Sequence, residues 1–251
     1  MSTPSGPGPA APGRSEATRR WTAEPFLGTF GVAPSYALLT EITLCEQVLL
    51  DTGGVALPPD PAEALPADAE VARTGLRTMP PRENAGNIDI RQTGVGTRLL
   101  LLVSAPDGLF SAGDGHYGEG EACGIAIEMT GTWRLPFDLR KGAAAASGQR
   151  RLRFERAGAA PAPIAAEAGP YFATTGISVD AAGINHGEDV TVAARDALRE
   201  MIDRLVVERG FTPSRPTRCA AWPYSCGSAR CPTSSTPPSP RLLPLGIFDQ
   251  S

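Results

Sequence analysis

Apolar and polar positions along the chain follow two rhythms. Between Ala193 and Val207 (AARDALREMIDRLVV), Leu198, Met201, Ile202, Leu205 and Val206 recur at i, i+3, i+4, i+7 and i+8. That spacing makes one stripe on an α-helix. Gly210 suits the left-handed residue that closes such a helix, and Pro213 prevents its continuation. Asn87–Gln92 (NIDIRQ) alternates apolar and polar side chains, the period of a half-buried strand. Thr97–Val103 (TRLLLLV) is a buried-strand run. Cys123–Met129, Thr132–Leu139, Arg151–Phe154, Tyr171–Ile177 and Leu242–Phe248 are further strand candidates. Leu38–Leu50 (LLTEITLCEQVLL) has a mixed period that leaves helix and strand open. Strand candidates dominate, so the expected class is α+β and β-rich, with one amphipathic helix near the C-terminus.

Punctuation divides the chain. Residues 1–18 are mostly Ser, Pro, Gly and Ala and are expected to form a disordered tail. The first aromatic cluster comes with Trp21–Val32. Asp51–Glu70 contains Gly53-Gly54, Pro58-Pro59, Pro61 and Pro66 and is expected to be a loop. Ser214–Arg241 holds six prolines, nine Ser or Thr and three cysteines with no periodicity. The expected organisation is therefore a tail over 1–18, a domain over 19–212, an irregular segment over 213–241, and a terminal strand and tail over 242–251.

Composition narrows the class. The 251 residues include 28 Gly and 25 Pro, a high share but short of wholesale disorder. A formal charge of −4 disfavours a generic nucleic-acid binder. No apolar run approaches a membrane span, and Met1–Pro12 lacks a secretory signal, so the cytoplasm is the expected compartment. The five cysteines form no obvious disulfide framework. With only His116 and His186, a three-histidine zinc site within one chain is excluded.

The candidate chemistry lies in Phe110–Ala122 (FSAGDGHYGEGEA), expected to be a glycine-rich loop between strands. It carries Asp114, His116, Glu119 and Glu121, and Asn84, Asn87 and Asp89 add oxygens nearby. Carboxylates and one imidazole at this spacing can hold a divalent cation. The same residues also suit turns and solvated positions, so spacing alone leaves both readings open.

The longer pattern carries more. Asn84-Ala85-Gly86-Asn87-Ile88-Asp89, then Gly108-Leu109-Phe110-Ser111-Ala112-Gly113-Asp114-Gly115-His116, then Gly120-Glu121-Ala122-Cys123-Gly124-Ile125-Ala126-Ile127-Glu128 resembles the acetamidase/formamidase family. Thr78–Glu83 and Arg195–Gly210 resemble family segments as well. The resemblance implies a β-rich sandwich or barrel that hydrolyses short amides such as formamide or acetamide. It implies Glu121, Asp114 and His116 as catalytic residues, and Asn87, Gly113 and Gly115 as substrate-binding ones. It also implies a divalent metal, zinc or calcium, held by Asp114, His116, Glu121 and Asp89. The expected partner is a small amide, with neither nucleic acid nor membrane, and a homo-oligomer is compatible. The alternative is a catalytically inactive fragment of the same family.

Three departures from the family pattern matter. Family members carry further sequence ahead of the segment that starts here near Trp21. The loop after His116 is shorter and has Glu119 where the family has Asp. Pro216–Pro223 (PTRCAAWP) can be written in codons that, read one nucleotide earlier, permit Ala-Tyr-Ala-Leu-Cys-Ser-Val-Ala, so the segment resembles a frame-shifted helix. These features predict feeble turnover or none. Cys219, Cys226 and Cys231 lack a nearby fourth ligand for a zinc knuckle. His186 is expected in a surface turn and Cys123 in the core. The only lysine, Lys141, lies in a Gly/Ala loop, which disfavours a Cys-Glu-Lys amidase.

Overall fold

A computed structural model describes residues 23–56, 68–69, 75–118, 126–158, 169–212 and 241–244. In chain order these form β1 (Phe26–Gly31), α1 (Tyr36–Asp51), β2 (Ala85–Asn87), β3 (Thr97–Leu100), β4 (Ser111–Gly118) and β5 (Ile127–Glu128). Then follow α2 (Ala143–Ala146), β6 (Arg153–Arg156), β7 (Tyr171–Thr174), α3 (Val190–Arg209) and β8 (Arg241–Pro244). Expectations for Glu121, Cys123 and residues 214–240 lie outside the described residues.

Two four-stranded sheets carry the fold, one ordered β2-β1-β4-β5 and the other β3-β6-β7-β8. All their strand pairs are antiparallel. One apolar cluster joins them: Leu27, Phe30, Ile88 and Ile90 come from the first side, Leu152, Phe154, Tyr171 and Ala173 from the second. The class is α+β and sheet-rich with a C-terminal helix, as expected, and the described strands close no barrel. No helix among the described residues is long and apolar enough to cross a membrane.

The open segment at 38–50 is a helix. Ser35 caps α1, its Oγ accepting the Leu38 N–H at 3.2 Å. Its buried face contains Ile42, Leu49 and Glu46. Glu46 pairs with buried Arg82 at 2.9 Å, so a charged residue occupies a core position and blurs the apolar period.

For α3, Asp189 Oδ1 accepts the Thr191 and Val192 N–H groups at 2.7 and 3.0 Å, and Gly210 closes the C-terminus at φ +62°. Its buried face differs from the expected stripe. Met201 and Leu205 are buried, but Leu198, Ile202 and Val206 are only half-buried. Ala193, Ala197, Asp196, Glu200 and Arg204 take the inner positions instead. The cause is a buried guanidinium on β6. Arg153 meets Glu200 at 2.7 Å, and Arg151 meets Asp196 at 2.8 Å.

Three expectations need correction, two strands and one loop. Asn87–Gln92 is not a strand: β2 ends at Asn87, Asp89 adopts φ +46°, and Arg91–Thr93 turns as a 3-10 helix. The alternation there reflects burial of Ile88 and Ile90, not a pleat. Thr132–Leu139 is not a strand either, and its residues are mostly exposed. Conversely, most of the expected glycine-rich loop is β4, paired with β1 on one side and β5 on the other. β1 pairs with it from Ser111 to His116 and β5 joins at His116 and Gly118, and this pairing outweighs the low strand propensity of glycine.

Candidate functional site

Antiparallel pairing brings distant polar residues together around β1. Thr29 lies opposite Asn87 on β2 and Gly113 on β4, while Leu27 lies opposite Gly115 and Phe26 opposite His116. On the far side of β4, Glu128 of β5 lies opposite His116. Asp114 and His116 are two residues apart on β4, which puts them on one face. Asp89 reaches the same place by the turn after β2. There the Ile88 and Asp89 N–H groups both donate to the Gly28 carbonyl, at 2.8 and 3.0 Å.

One ligand atom each from Asp89, Asp114 and His116 lies within 4.8 Å of the others. Asp89 and His116 are buried, and Asp114 is half-buried. His116 Nε2 stands 3.1 Å from Asp114 Oδ1 and 3.5 Å from Glu128 Oε1. The Phe26 ring meets the imidazole edge-on at 4.7 Å, fixing the ring plane. Both aspartates adopt left-handed backbone, φ +46° at Asp89 and +60° at Asp114. Such conformations persist only where surrounding structure imposes them, and they concentrate at functional sites.

Gly28 forms the floor. A Cβ there would overlap Asp89 Oδ1 and Asp114 Oδ2 and come 3.0 Å from His116 Cε1. The three groups converge over a position that only glycine leaves open. Thr29 ties the two acidic sides together. Its Oγ1 lies 2.8 Å from Asn87 Oδ1 and 3.1 Å from Asp114 Oδ2, and Asn87 Nδ2 donates to Asp89 Oδ2 at 2.8 Å. One hydroxyl proton serves only one of two acceptors at a time. A cation beside Asp114 would relieve that competition.

Glu128 is 67% exposed and opens onto the cluster. Partial burial raises its carboxyl above the ordinary range. His116 opposes the rise, and the negative charges of Asp114 and Asp89 add to it. A cation among these groups would reverse the balance. Two carboxylates, one imidazole and space above a glycine suit a divalent ion with mixed N and O ligands.

Of the sequence-derived residues, Asp89, Asp114 and His116 come together. Asn87 lies against them, its amide turned to Thr29 and Asp89. Gly113 faces open space, and Gly115 backs onto the Met129 carbonyl and the Trp133 ring. Glu121 lies outside the described residues. Gly28, Thr29 and Glu128 were not singled out by sequence. His186 sits in an exposed turn, 2.8 Å from Asp180 Oδ2, as expected.

Residues 14–218 match the sequence profile of the Acetamidase/Formamidase family. An acetamidase from Mycolicibacterium smegmatis is 33% identical over 251 aligned residues, covering 88% of this chain and 61% of its own. A formamidase from Methylophilus methylotrophus is 35% identical over 193 residues, covering 71% of this chain and 46% of its own. The crystal structure of an acetamidase from Bacillus halodurans shares the fold with a TM-score of 0.54 at 15% identity, covering 93% of this chain and 59% of that one. The chain belongs to the acetamidase/formamidase family. It spans 61% and 46% of the length of these two curated relatives.

Proposed function

We propose that this chain carries the amide-hydrolysing site of its family and that the site is built on Asp89, Asp114 and His116. The observation that carries the proposal is the convergence of these three groups over Gly28. The relatives named acetamidase and formamidase support a short linear amide as substrate. The reaction is hydrolysis of the C–N bond to an acid and ammonia. Asp89, Asp114 and His116 would hold a divalent cation, zinc or calcium. When bound, the cation supplies Lewis-acid polarisation of the amide carbonyl.

The residues of this chain do the rest. Phe26 and Asp114 fix the His116 ring, while Asn87 and Thr29 set the two carboxylate planes. Glu128, exposed and raised in pKa, accepts a proton at Oε1 from the attacking water and returns it to the leaving nitrogen. By family resemblance, Glu121 is a further candidate for this proton transfer. A Cβ at Gly113 would meet nothing within 4 Å among the described residues, which leaves room beside it for a small substrate.

The shortened loop after His116 favours a second reading, in which the cluster is present but does not turn over. Ammonia release from formamide and acetamide, measured beside zinc and calcium binding, separates the two. Turnover lost in His116→Ala and Asp89→Asn supports the amidase. Cation binding without turnover supports the inactive reading. Neither binding nor turnover refutes the site.

A further inference from the structure

Asp89 holds a left-handed backbone at φ +46°, and such a conformation persists only where its surroundings impose it. On its N-terminal side the Gly28 carbonyl takes the Ile88 and Asp89 N–H groups. On its C-terminal side the chain turns at once into the 3-10 helix Arg91–Thr93. Ile90 is buried in the shared core, and its carbonyl accepts the Thr93 N–H at 2.9 Å and the Thr93 hydroxyl at 2.7 Å. Gly94 then lies against the start of β1, where a Cβ would come 3.2 Å from the Pro25 carbonyl oxygen. The turn that carries Asp89 is thus wedged between the two sheets.

The second sheet grips this turn at one atom. Thr97 on β3, Arg156 on β6 and Tyr171 on β7 are successive cross-strand partners, one row across three strands. Cross-strand partners share a face of their sheet. Both hydroxyls of the row donate to the Gln92 carbonyl, Tyr171 Oη at 3.0 Å and Thr97 Oγ1 at 2.9 Å. A carbonyl oxygen has two lone pairs, so the two donors fill it. Arg156 fixes both of them. Its Nη2 donates to Thr97 Oγ1 at 3.2 Å, which leaves the threonine proton for Gln92. Its guanidinium also stands over the Tyr171 ring, 5.5 Å from the ring centre. Phe154 meets that ring edge-on at 6.2 Å, and Tyr171 is fully buried. Packing alone needs only the ring. The buried phenol adds a direction, aimed at a carbonyl three residues beyond Asp89.

We propose that the row Thr97–Arg156–Tyr171 positions Asp89 in the cation site through the Gln92 carbonyl. The proposal rests on the reading of Asp89 as a cation ligand. Tyr171→Phe and Thr97→Val each remove one hydroxyl at nearly constant volume, and two measurements on the full chain test them. The first is hydrogen exchange on the cation-free chain. Tyr171→Phe should speed exchange at the Ile88 and Asp89 amides roughly tenfold more than in α3, whereas a general loss of stability would move both alike. The second is calorimetric titration with zinc and with calcium. Either variant should lower affinity about tenfold, the low end for groups that support ligands. Thr97→Ser keeps the hydroxyl and should match the parent chain. In an Asp89→Asn background, Tyr171→Phe should cost no further affinity, because the ligand it positions is gone. Exchange at 88 and 89 that moves no more than in α3, unchanged affinity, or an equal loss with and without Asp89 would each overturn the proposal. A parent chain that binds neither ion would refute the cation reading instead, and the exchange result alone would then decide whether the row holds the Asp89 turn.

Discussion

Gly28→Ala should abolish tight cation binding while leaving the fold standing. A Cβ at this position would lie 2.5 Å from Asp114 Oδ2 and as close to Asp89 Oδ1. Ordinary C···O contact begins at about 3.3 Å, so each oxygen must retreat by roughly 0.8 Å. Metal–ligand distances tolerate only about 0.2 Å. Two ligands would thus be moved by several times that tolerance at once. Disturbing groups that merely support ligands costs about 10–100-fold in metal affinity, so a loss of at least ~100-fold is expected, or about 2.7 kcal/mol. Alanine is intrinsically better than glycine in a strand by about 0.5–1 kcal/mol, which offsets part of the crowding. Calorimetric titration with zinc and with calcium reads the affinity, and urea unfolding reads the fold. Gly118→Ala is the control, since its Cβ would meet nothing within 4 Å. If Gly28→Ala binds either ion within twofold of the parent chain, the cluster over Gly28 is not the cation site.

Thr29→Val removes the hydroxyl between Asn87 and Asp114 at nearly constant volume and should lower cation affinity about 10–100-fold, with Thr29→Ser restoring it. Equal affinity in Thr29→Val would show that the hydroxyl orients nothing. Glu128 ionises above the ordinary carboxylate range in the folded, cation-free chain, so the native state holds its proton more tightly than the unfolded state. Its contribution to stability is full below the unfolded pKa and is lost as pH rises through the folded one. Glu128→Gln should therefore flatten the decline in melting temperature above the normal carboxylate pKa, and parallel curves for the two proteins would contradict this. Glu200→Gln breaks the buried pair with Arg153 and should cost about 3–5 kcal/mol in urea unfolding. Replacing Arg153 and Glu200 together by Met should cost far less, and equal losses would show that the pairing is not what matters there.

How much of this could be read from sequence depends on whether a residue acts through its own chemistry or through its place. Asp114 and His116 were legible because both carry ligand atoms and sit two apart. Asp89 was legible as a carboxylate beside a candidate strand. Gly28 contributes only empty space, and no local pattern marks it. Thr29 acts through partners 58 and 85 positions away, contacts that exist only once β1 lies between β2 and β4. The differences in the two long helices share one cause. At Glu46, Glu200 and Arg204, buried charges stand where periodicity expects apolar side chains, because their partners come from other elements. In β4, glycines suggested a loop, yet pairing on both edges makes a strand.

The placement of the cluster also explains why its backbone is unusual. β1 lies inside its sheet, so its residues 28 and 29 touch both neighbours. A site at that point needs a floor with no side chain and walls that lean inward from either side. Gly28 supplies the floor. The walls are two aspartates held at positive φ, a conformation more readily tolerated by Asp than by most residues. The apolar cluster shared with the second sheet and the Asn87–Thr29 hydrogen bonds supply the restraint. The cost of two left-handed residues and two adjacent carboxylates, about 1–3 kcal/mol for each strained residue alone, is what the proposed cation would offset.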